Sequence, residues 1–132
     1  MEIVSHSLWA TAAAQAANRK LATPVRVAWF AAWAMFPDLL AFAPAVIAGL
    51  WYRISGAARI HVHHSAMRHG LLDFDLYEVT HSLVVFAPVF AVVWLILRRP
   101  VWELLGWARH VVMDIPTHSA HFPAPFLWPL SS

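Results

Sequence analysis

Three long apolar stretches dominate this chain, and each has an ionisable side chain inside it or at its end. The stretches cover residues 24–51, 81–97 and 101–115. The ionisable side chains are those of Asp38, His81, His110 and Asp114. A carboxylate or imidazole is costly in a hydrocarbon environment, so such a group indicates a function and needs a partner. The obvious partners are these residues themselves.

The composition predicts a membrane protein. Of the 132 residues, 61% are hydrophobic and 12% charged, and the mean hydropathy is +0.60. Soluble domains are about half apolar and about a quarter charged. The length suits a single domain over residues 1–132. The absence of cysteine excludes disulfides and thiolate metal sites, and the formal charge of +2 indicates no nucleic-acid surface.

The apolar stretches predict an all-α, integral membrane helical bundle with three or four membrane segments. Residues 3–17 form a further apolar segment, alanine-rich and short for a span of about 20 residues. Small residues in it allow close approach of another helix. Pro37, Pro44 and Pro88 fall inside apolar stretches and predict kinked or broken helices. The helix of the last stretch is expected to stop at Pro116, ahead of an aromatic tail at the membrane interface.

Alternation of four segments would place the polar candidates at a common depth. Basic residues follow the first and third segments, and the positive-inside rule makes those loops cytoplasmic. His6 and His81 then lie at the starts of their segments, on the non-cytoplasmic side. His110 and Asp114 lie near the end of the last segment, on the same side. Asp38 lies near the bilayer centre. These five residues are therefore expected to converge on one region.

His110 and Asp114 are spaced to act together. Four residues apart, they lie on one helix face with Cβ atoms about 5–6 Å apart. They could share a divalent metal, with the nitrogen and oxygen donors that suit zinc. They could also form a buried hydrogen bond with no metal present.

The other candidates have structural interpretations as well. Asp38 follows a proline, so it could cap a new half-helix with its carboxylate instead of binding metal. Thr80 could be the N-cap of the next helix, with His81 simply at the interface. His6 alone is typical of an interfacial histidine. The depth that His81 shares with His110 favours metal binding for His81. For Asp38 and His6 both interpretations stay open.

A second group of polar residues is expected to be mostly solvated. Four histidines occupy the most polar stretch, residues 52–80, in which residues 60–69 could form an interfacial helix. The acidic side chains of Asp73, Asp75 and Glu78 could serve as acid or base from this loop. His118 and His121 follow Pro116, so their direction is not predicted. The four histidines are His61, His63, His64 and His69.

The order of the motifs resembles a known family. It runs from an early histidine in Ser5-His6-Ser7, through Pro37-Asp38 and Thr80-His81-Ser82, to His110-xxx-Asp114 and a terminal Trp128-Pro129. This order is similar to that of the bacterial membrane-bound metal-dependent hydrolases, which are thought to be related to zinc-dependent phospholipase C. The resemblance implies a metal site formed by His6, Asp38, His81, His110 and Asp114.

The resemblance also implies a function. We expect a multi-pass protein of the bacterial inner membrane that hydrolyses a phosphoester, with a membrane lipid as a plausible substrate. A divalent metal, zinc first, would be the cofactor, and Asp38 and Asp114 would be catalytic. The alternative is a non-enzymatic helical subunit of a larger membrane complex or homo-oligomer, whose polar cluster specifies packing. A third interpretation, haem bound by two histidines, leaves the aspartates without a role.

Overall fold

The computed structural model describes residues 3–55, 76–117 and 125–131, and in these ranges all regular structure is helical. The α-helices are α1 (Ile3–Asn18), α2 (Val27–Ser55), α3 (Leu76–Thr80), α4 (Leu83–Leu97) and α5 (Leu105–Thr117), with a 3₁₀ turn at Trp102–Leu104. The all-α prediction is therefore confirmed for this part of the chain. The four histidines of the polar stretch, Asp73, Asp75, His118 and His121 lie outside the described residues.

Helix α2 is the central element, since α1, α3, the 3₁₀ turn and α5 all pack against it. The face of α1 that is buried carries His6, Ala10 and Ala14, spaced four residues apart. Ala31 and Ala34 are buried on α2. Small side chains allow the helix backbones to approach closely. This spacing aligns His6 with the alanine stripe and therefore turns its ring inward.

Gly106 permits an even closer contact between α5 and α2. A Cβ atom at this position would lie 2.1 Å from the carbonyl oxygen of Phe30 and 3.1 Å from the backbone nitrogen of Ala34. No side chain fits there, because both neighbours are backbone atoms. His110 lies one turn further along α5, so this contact sets its distance from α2.

Helix α2 is continuous through Pro37 and Pro44, so the break predicted at Pro37 is wrong. Pro37 is almost fully buried. Packing around it shields the backbone group that loses its hydrogen bond, which removes the need to end the helix. Asp38 is therefore a mid-helix residue, and it does not cap a half-helix.

The start of α4 also differs from the prediction. Ser82, and not Thr80, is the N-cap, and its Oγ accepts from the backbone nitrogens of Val84 and Val85. The hydroxyl of Thr80 donates to the carbonyl of Leu76 at 2.6 Å. Two helices thus meet at a tight turn, and His81 lies in that turn instead of on a spanning helix.

The tail and the core hold this turn in place. The hydroxyl of Ser82 donates to the carbonyl of Trp128, and the backbone nitrogen of Leu83 donates to that of Phe126 at 2.9 Å. Phe126 packs against a core of Phe86, Leu104, Trp107 and Val111. The indole nitrogen of Trp107 donates to the carbonyl of Thr80 at 2.6 Å. The residue before His81 and the residue after it are therefore both anchored.

An ion pair joins the start of α2 to the 3₁₀ turn. Arg26 Nε lies 2.9 Å from Glu103 Oε1. Partial burial alone would raise the pKa of Glu103, but the hydrogen bonds and charge of Arg26 together outweigh it and hold that pKa below its usual value. Arg26 is 64% exposed, so the pair stabilises the fold only weakly.

Only one helix in the described ranges is long and apolar enough to cross a membrane. Its apolar window is Val27–Pro44, with a mean hydropathy of 1.4. At 1.5 Å per residue, α2 is about 43 Å long, whereas α1, α4 and α5 are about 20–24 Å. A hydrocarbon core is about 30 Å thick. The predicted number of three or four membrane segments is thus not confirmed. The last helix also starts later than expected and ends just past Pro116, at Thr117.

Candidate metal centre

Five buried side chains meet where α1, α2, α5 and the turn between α3 and α4 come together. His6 comes from α1, Asp38 from α2 and His81 from the turn, while His110 and Asp114 come from α5. None of the five exposes more than 5% of its surface. The structure thus brings together all the residues that the sequence placed at a common depth.

The backbone fixes which nitrogen of His110 faces the cluster. Its Nδ1 lies 2.7 Å from the carbonyl oxygen of Ala34. A carbonyl oxygen only accepts, so Nδ1 carries the proton and donates it. In the neutral ring Nε2 then has a free lone pair, which is the form that binds metals. That lone pair points into the cluster.

His81 is oriented in the same way. Its Nδ1 lies 3.0 Å from the carbonyl oxygen of Tyr77 and 3.1 Å from the hydroxyl oxygen of Thr80. The ring of Tyr77 stacks on that of His81, with the centroids 4.0 Å apart. Because Nδ1 donates to the backbone, Nε2 of His81 also presents a lone pair to the cluster.

Four acceptor atoms consequently face each other across a small gap. The Nε2 atoms of His81 and His110 are 3.0 Å apart. Asp38 Oδ1 lies 3.3 Å from the first and 3.6 Å from the second. Asp114 Oδ2 lies 3.6 Å from the first and 3.3 Å from the second. Metal–ligand bonds of about 2.0–2.1 Å would put tetrahedral corners about 3.3–3.4 Å apart, which is close to the distances between each carboxylate oxygen and the two imidazoles.

His6 extends this set on one side. Its ring lies against that of His110, with the centroids 3.8 Å apart. Its Nε2 is 3.0 Å from Asp114 Oδ1, although the direction is not that of a hydrogen bond. Both ring nitrogens of His6 and Asp38 Oδ2 are buried and have no hydrogen-bond partner among the residues that the structure describes. Such groups are rare in a folded protein and are expected where a cation, a water molecule or a substrate group binds.

Two groups of three residues have ligand atoms close enough to hold a metal ion. One is His81, His110 and Asp114; the other is His6, Asp38 and His110. Within each group the ligand atoms lie within 4.8 Å of one another. Glu78 belongs to neither group, so its expected part as an acid or base has no support here. The arrangement can bind a divalent cation through imidazole and carboxylate donors.

Sequence reasoning missed the groups that aim the imidazoles. The sequence does not show that the backbone carbonyls of Ala34 and Tyr77 accept from these rings, because every residue has a backbone carbonyl. Gly106 could have been noticed, since an isolated glycine in an apolar helix often marks a close backbone approach.

Comparison with protein-family models, curated proteins and solved structures finds no match. The family resemblance based on the motif order therefore stays a prediction. The features that bear on function are the geometry of the five buried residues and the apolar surface around them.

Proposed function

We propose that this protein is a multi-pass membrane hydrolase that uses a divalent metal, zinc first, to cleave a phosphoester. The observation that carries the proposal is the set of four acceptor atoms from His81, His110, Asp38 and Asp114. Lone pairs and carboxylates 3.0–3.6 Å apart repel one another unless a cation or protons lie between them. A divalent cation would satisfy the ligand atoms of His81, His110 and Asp114 at once, since these lie within 4.8 Å of one another, and Asp38 lies beside both imidazoles.

The donor types favour zinc over magnesium or calcium. Zinc accepts imidazole nitrogen and carboxylate oxygen in tetrahedral geometry. Magnesium and calcium take six or more oxygen ligands. The backbone carbonyls that hold Nδ1 of His81 and His110 are the outer partners usual for metal-binding histidines.

When bound, a divalent cation supplies an acidified water molecule and positive charge for the phosphoryl oxygens. The protein's own groups would divide the remaining tasks. Oδ1 of Asp38 faces the imidazoles, whereas its Oδ2 is buried without a partner and can take a proton from a nucleophile. Asp114 contributes both carboxylate oxygens to the centre. Its Oδ2 lies beside Nε2 of His110, and its Oδ1 lies beside Nε2 of His6.

The surface supports a membrane location. Every residue of α4 is apolar, yet Phe86 is its only buried residue. A helix that is apolar all round needs an apolar environment on all sides. Together α3, the turn and α4 cover residues 76–97, a length that suits a span even though α4 alone is short. By the resemblance, the membrane is the bacterial inner membrane, and its lipids are the nearest phosphoesters.

A second candidate function is structural. Catalytic zinc sites usually keep one position open, whereas structural sites are filled by four protein ligands. Asp38 Oδ1 lies 3.3 Å and 3.6 Å from the two imidazole nitrogens and could be the fourth protein ligand beside His81, His110 and Asp114. In this alternative the centre holds α2, α5 and the turn at His81 together, and the protein is a subunit of a membrane complex. Haem is disfavoured, because His81 and His110 contact each other directly and leave no space between them for a porphyrin.

Asp38→Asn separates the two functions. Protein purified in detergent would be analysed for metal content, for its absorption spectrum and for hydrolysis of a chromogenic phosphodiester and a short-chain phospholipid. The hydrolase proposal expects bound zinc in the wild type and hydrolysis that falls by about 100-fold or more in Asp38→Asn. Zinc without hydrolysis of any phosphoester would favour the structural centre. Stable protein with no metal would refute both metal-based functions.

A further inference from the structure

One end of the bundle carries most of the positive charge in the part of the chain that the structure describes. Seven arginine and lysine side chains lie in residues 3–55, 76–117 and 125–131, and five of them are at this end, all exposed. We call these five the basic end: Arg19, Lys20, Arg26, Arg98 and Arg99. Among the acids of the same ranges, Glu103 alone lies with them. Five cations against one acid give this end a net charge of +4, whereas the formal charge of the whole chain is +2.

Specific contacts bring these cations together from three parts of the chain. The side chain of Asn18 donates to the carbonyl of Val25 at 2.8 Å and accepts from its nitrogen at 2.9 Å, which ties the end of α1 to the start of α2. Arg26 is joined to the 3₁₀ turn through Glu103. Arg98 ends α4 in a left-handed conformation with φ of 54°, and the 3₁₀ turn starts four residues later. The cations that follow α1 and α4 and the one that precedes α2 are therefore neighbours in the fold.

Exposed tryptophans accompany the basic end. Trp29, Trp94 and Trp102 are 44–55% exposed. The guanidinium of Arg26 lies over the ring of Trp29, 5.7 Å from its centroid. The ring of Phe90 connects the other two, with centroids 6.1 Å from each. Tryptophan is favoured at the headgroup level of a bilayer, and arginine binds phosphate oxygens through paired donors.

We propose that the basic end is a binding surface for the headgroups of anionic phospholipids. Charge complementarity selects this partner, and the apolar helices and tryptophans beside the cations favour a lipid over an acidic protein or a nucleic acid. The inference rests on the proposed function only in placing the protein in a membrane. It goes beyond the positive-inside rule, which concerns the side on which loops lie and does not require their cations to be adjacent.

The basic end is separate from the candidate metal centre. Arg26 and Asp38 are twelve residues apart along α2, which is about 18 Å. Charges are screened over about 8 Å at physiological ionic strength. Changes of charge at the basic end should therefore leave the metal centre intact, so the two sites can be tested independently.

Lipid retention measured by native mass spectrometry tests the proposal. The full chain would be extracted with detergent from bilayers of equal parts phosphatidylglycerol and phosphatidylcholine, and the ratio of the retained lipids would be measured. The wild type should prefer phosphatidylglycerol by about tenfold or more. Arg99→Gln should lower this preference by about fivefold, the factor expected for one cation near an anionic surface. Arg99→Lys keeps the charge and should keep the preference.

Two further variants show whether the effect belongs to this end. Arg53→Gln removes an exposed cation near the other end of α2, about 40 Å from Arg26, and should change the preference by less than about twofold. Glu103→Gln removes the acid of the basic end and should raise the preference. Zinc content and helix content, measured in parallel, should be unchanged in all four variants.

Several outcomes would overturn the proposal. Equal retention of both lipids by wild-type protein that binds zinc and stays with membranes would refute the lipid surface and leave the proposed function standing. An undiminished preference in Arg99→Gln, or an equal fall in Arg53→Gln, would show that the basic end is not the source of the preference. Glycerol phosphate carries the phosphate without acyl chains and should not displace the lipid. If it did, the surface would bind free phosphates and not a bilayer.

Discussion

Two backbone carbonyls determine which ring nitrogen of His81 and of His110 faces the cluster. Each accepts the Nδ1 proton of one ring, and each thereby commits Nε2 to the interior of the cluster. Neither ring can turn to relieve the approach of the two Nε2 atoms, because turning would leave a buried N–H without an acceptor. In metal-free protein a single shared proton can bridge the two nitrogens, but it leaves two carboxylates facing one positive charge.

Asp114→Asn distinguishes a metal centre from a packing cluster. Asparagine keeps the shape but loses the anionic donor, so zinc occupancy should fall by about tenfold or more. The fold should be retained, because the new amide can donate to Nε2 of His110, which lies 3.3 Å from Oδ2 in the wild type. Zinc content and thermal unfolding in detergent measure the two effects.

The control for this variant is Glu103→Gln, which removes an acid outside the centre. It should leave zinc content unchanged and lower stability by less than about 1 kcal/mol, since its partner Arg26 is mostly exposed. Full zinc occupancy in both Asp114→Asn and His110→Ala would show that the cluster does not bind metal.

At the residue scale the sequence predicted which side chains meet, but not how each is held. The cost of ionisable groups in apolar segments, with the depth argument, was enough to bring five residues together. The capping interpretations of Asp38 and Thr80 were wrong for one reason. A cap depends on where a helix starts, and tertiary packing moved both starts: α2 runs through Pro37, and α4 begins after Ser82.

Among the elements, α5 depends most on a single residue. Gly106 lets its backbone approach Phe30 and Ala34 of α2, and His110 depends on that approach to reach the Ala34 carbonyl. Phe30 and Ala34 offer backbone atoms and no flexible side chain that could move aside. The geometry of the candidate metal centre therefore depends on the distance between α5 and α2.

Gly106→Ala should separate these two helices. A methyl group 2.1 Å from a carbonyl oxygen forces a backbone shift, and we expect a loss of about 3 kcal/mol or failure to fold. Protein that does fold should have lost zinc. Gly49→Ala is the matched control on α2, since nothing lies within 4 Å of its added Cβ. It should stabilise by about 0.5–1 kcal/mol, because alanine favours a helix. Equal unfolding temperatures for the two variants would contradict this interpretation.

Helix positions were predictable to within a few residues, whereas helix continuity was not. Hydrophobic stretches mark where segments lie, but proline has different effects in exposed and packed helices. Pro37 is buried, and its neighbours supply the shielding that water would otherwise provide. The small-residue pattern of α1 was the more reliable guide, since Ala10 and Ala14 are buried as close packing requires.

On the scale of the whole molecule, the apolar exterior is its most unusual property. Large side chains such as Ile54 and Ile96 are more than 70% exposed. Contiguous apolar surface of this kind marks a membrane or protein contact. Among the helices of residues 3–55, 76–117 and 125–131, only α2 is long enough to cross a bilayer by itself. In the membrane location proposed above, the others would combine with their neighbours or insert partway.

Val92→Arg tests whether α4 faces lipid. Val92 is near the middle of α4 and is 51% exposed. In water an arginine at such a position is nearly neutral, whereas at the centre of a membrane helix it costs about 2.5–3.5 kcal/mol. We expect a marked fall in the fraction of protein that stays with membranes after a carbonate wash. Leu130→Arg, at a 79% exposed position in the tail, should have no effect. Equal retention of the two variants, or release of the wild type without detergent, would place α4 in water.

The number of spans could not be read from hydropathy alone. Hydropathy measures the preference of a segment for lipid, but it does not show where the helix in that segment ends. The turn at His81 and the 3₁₀ turn at Trp102–Leu104 take up the first residues of two stretches that look uniform in the sequence, so α4 and α5 start later than the stretches do. Both interruptions are stabilised by contacts from distant parts of the chain, such as those of Trp107, Phe126 and Arg26.

The centre gathers residues that are more than a hundred positions apart in the chain, from His6 to Asp114, which gives biosynthesis a fixed order. His110 and Asp114 are translated last of the five residues, and both groups of ligand atoms that could hold a metal ion include His110. Contacts of such sequence separation form late and slowly. Metal loading, as proposed above, would therefore require that α1, α2 and α5 have all reached their places, so that bound metal would indicate that these helices have finished packing.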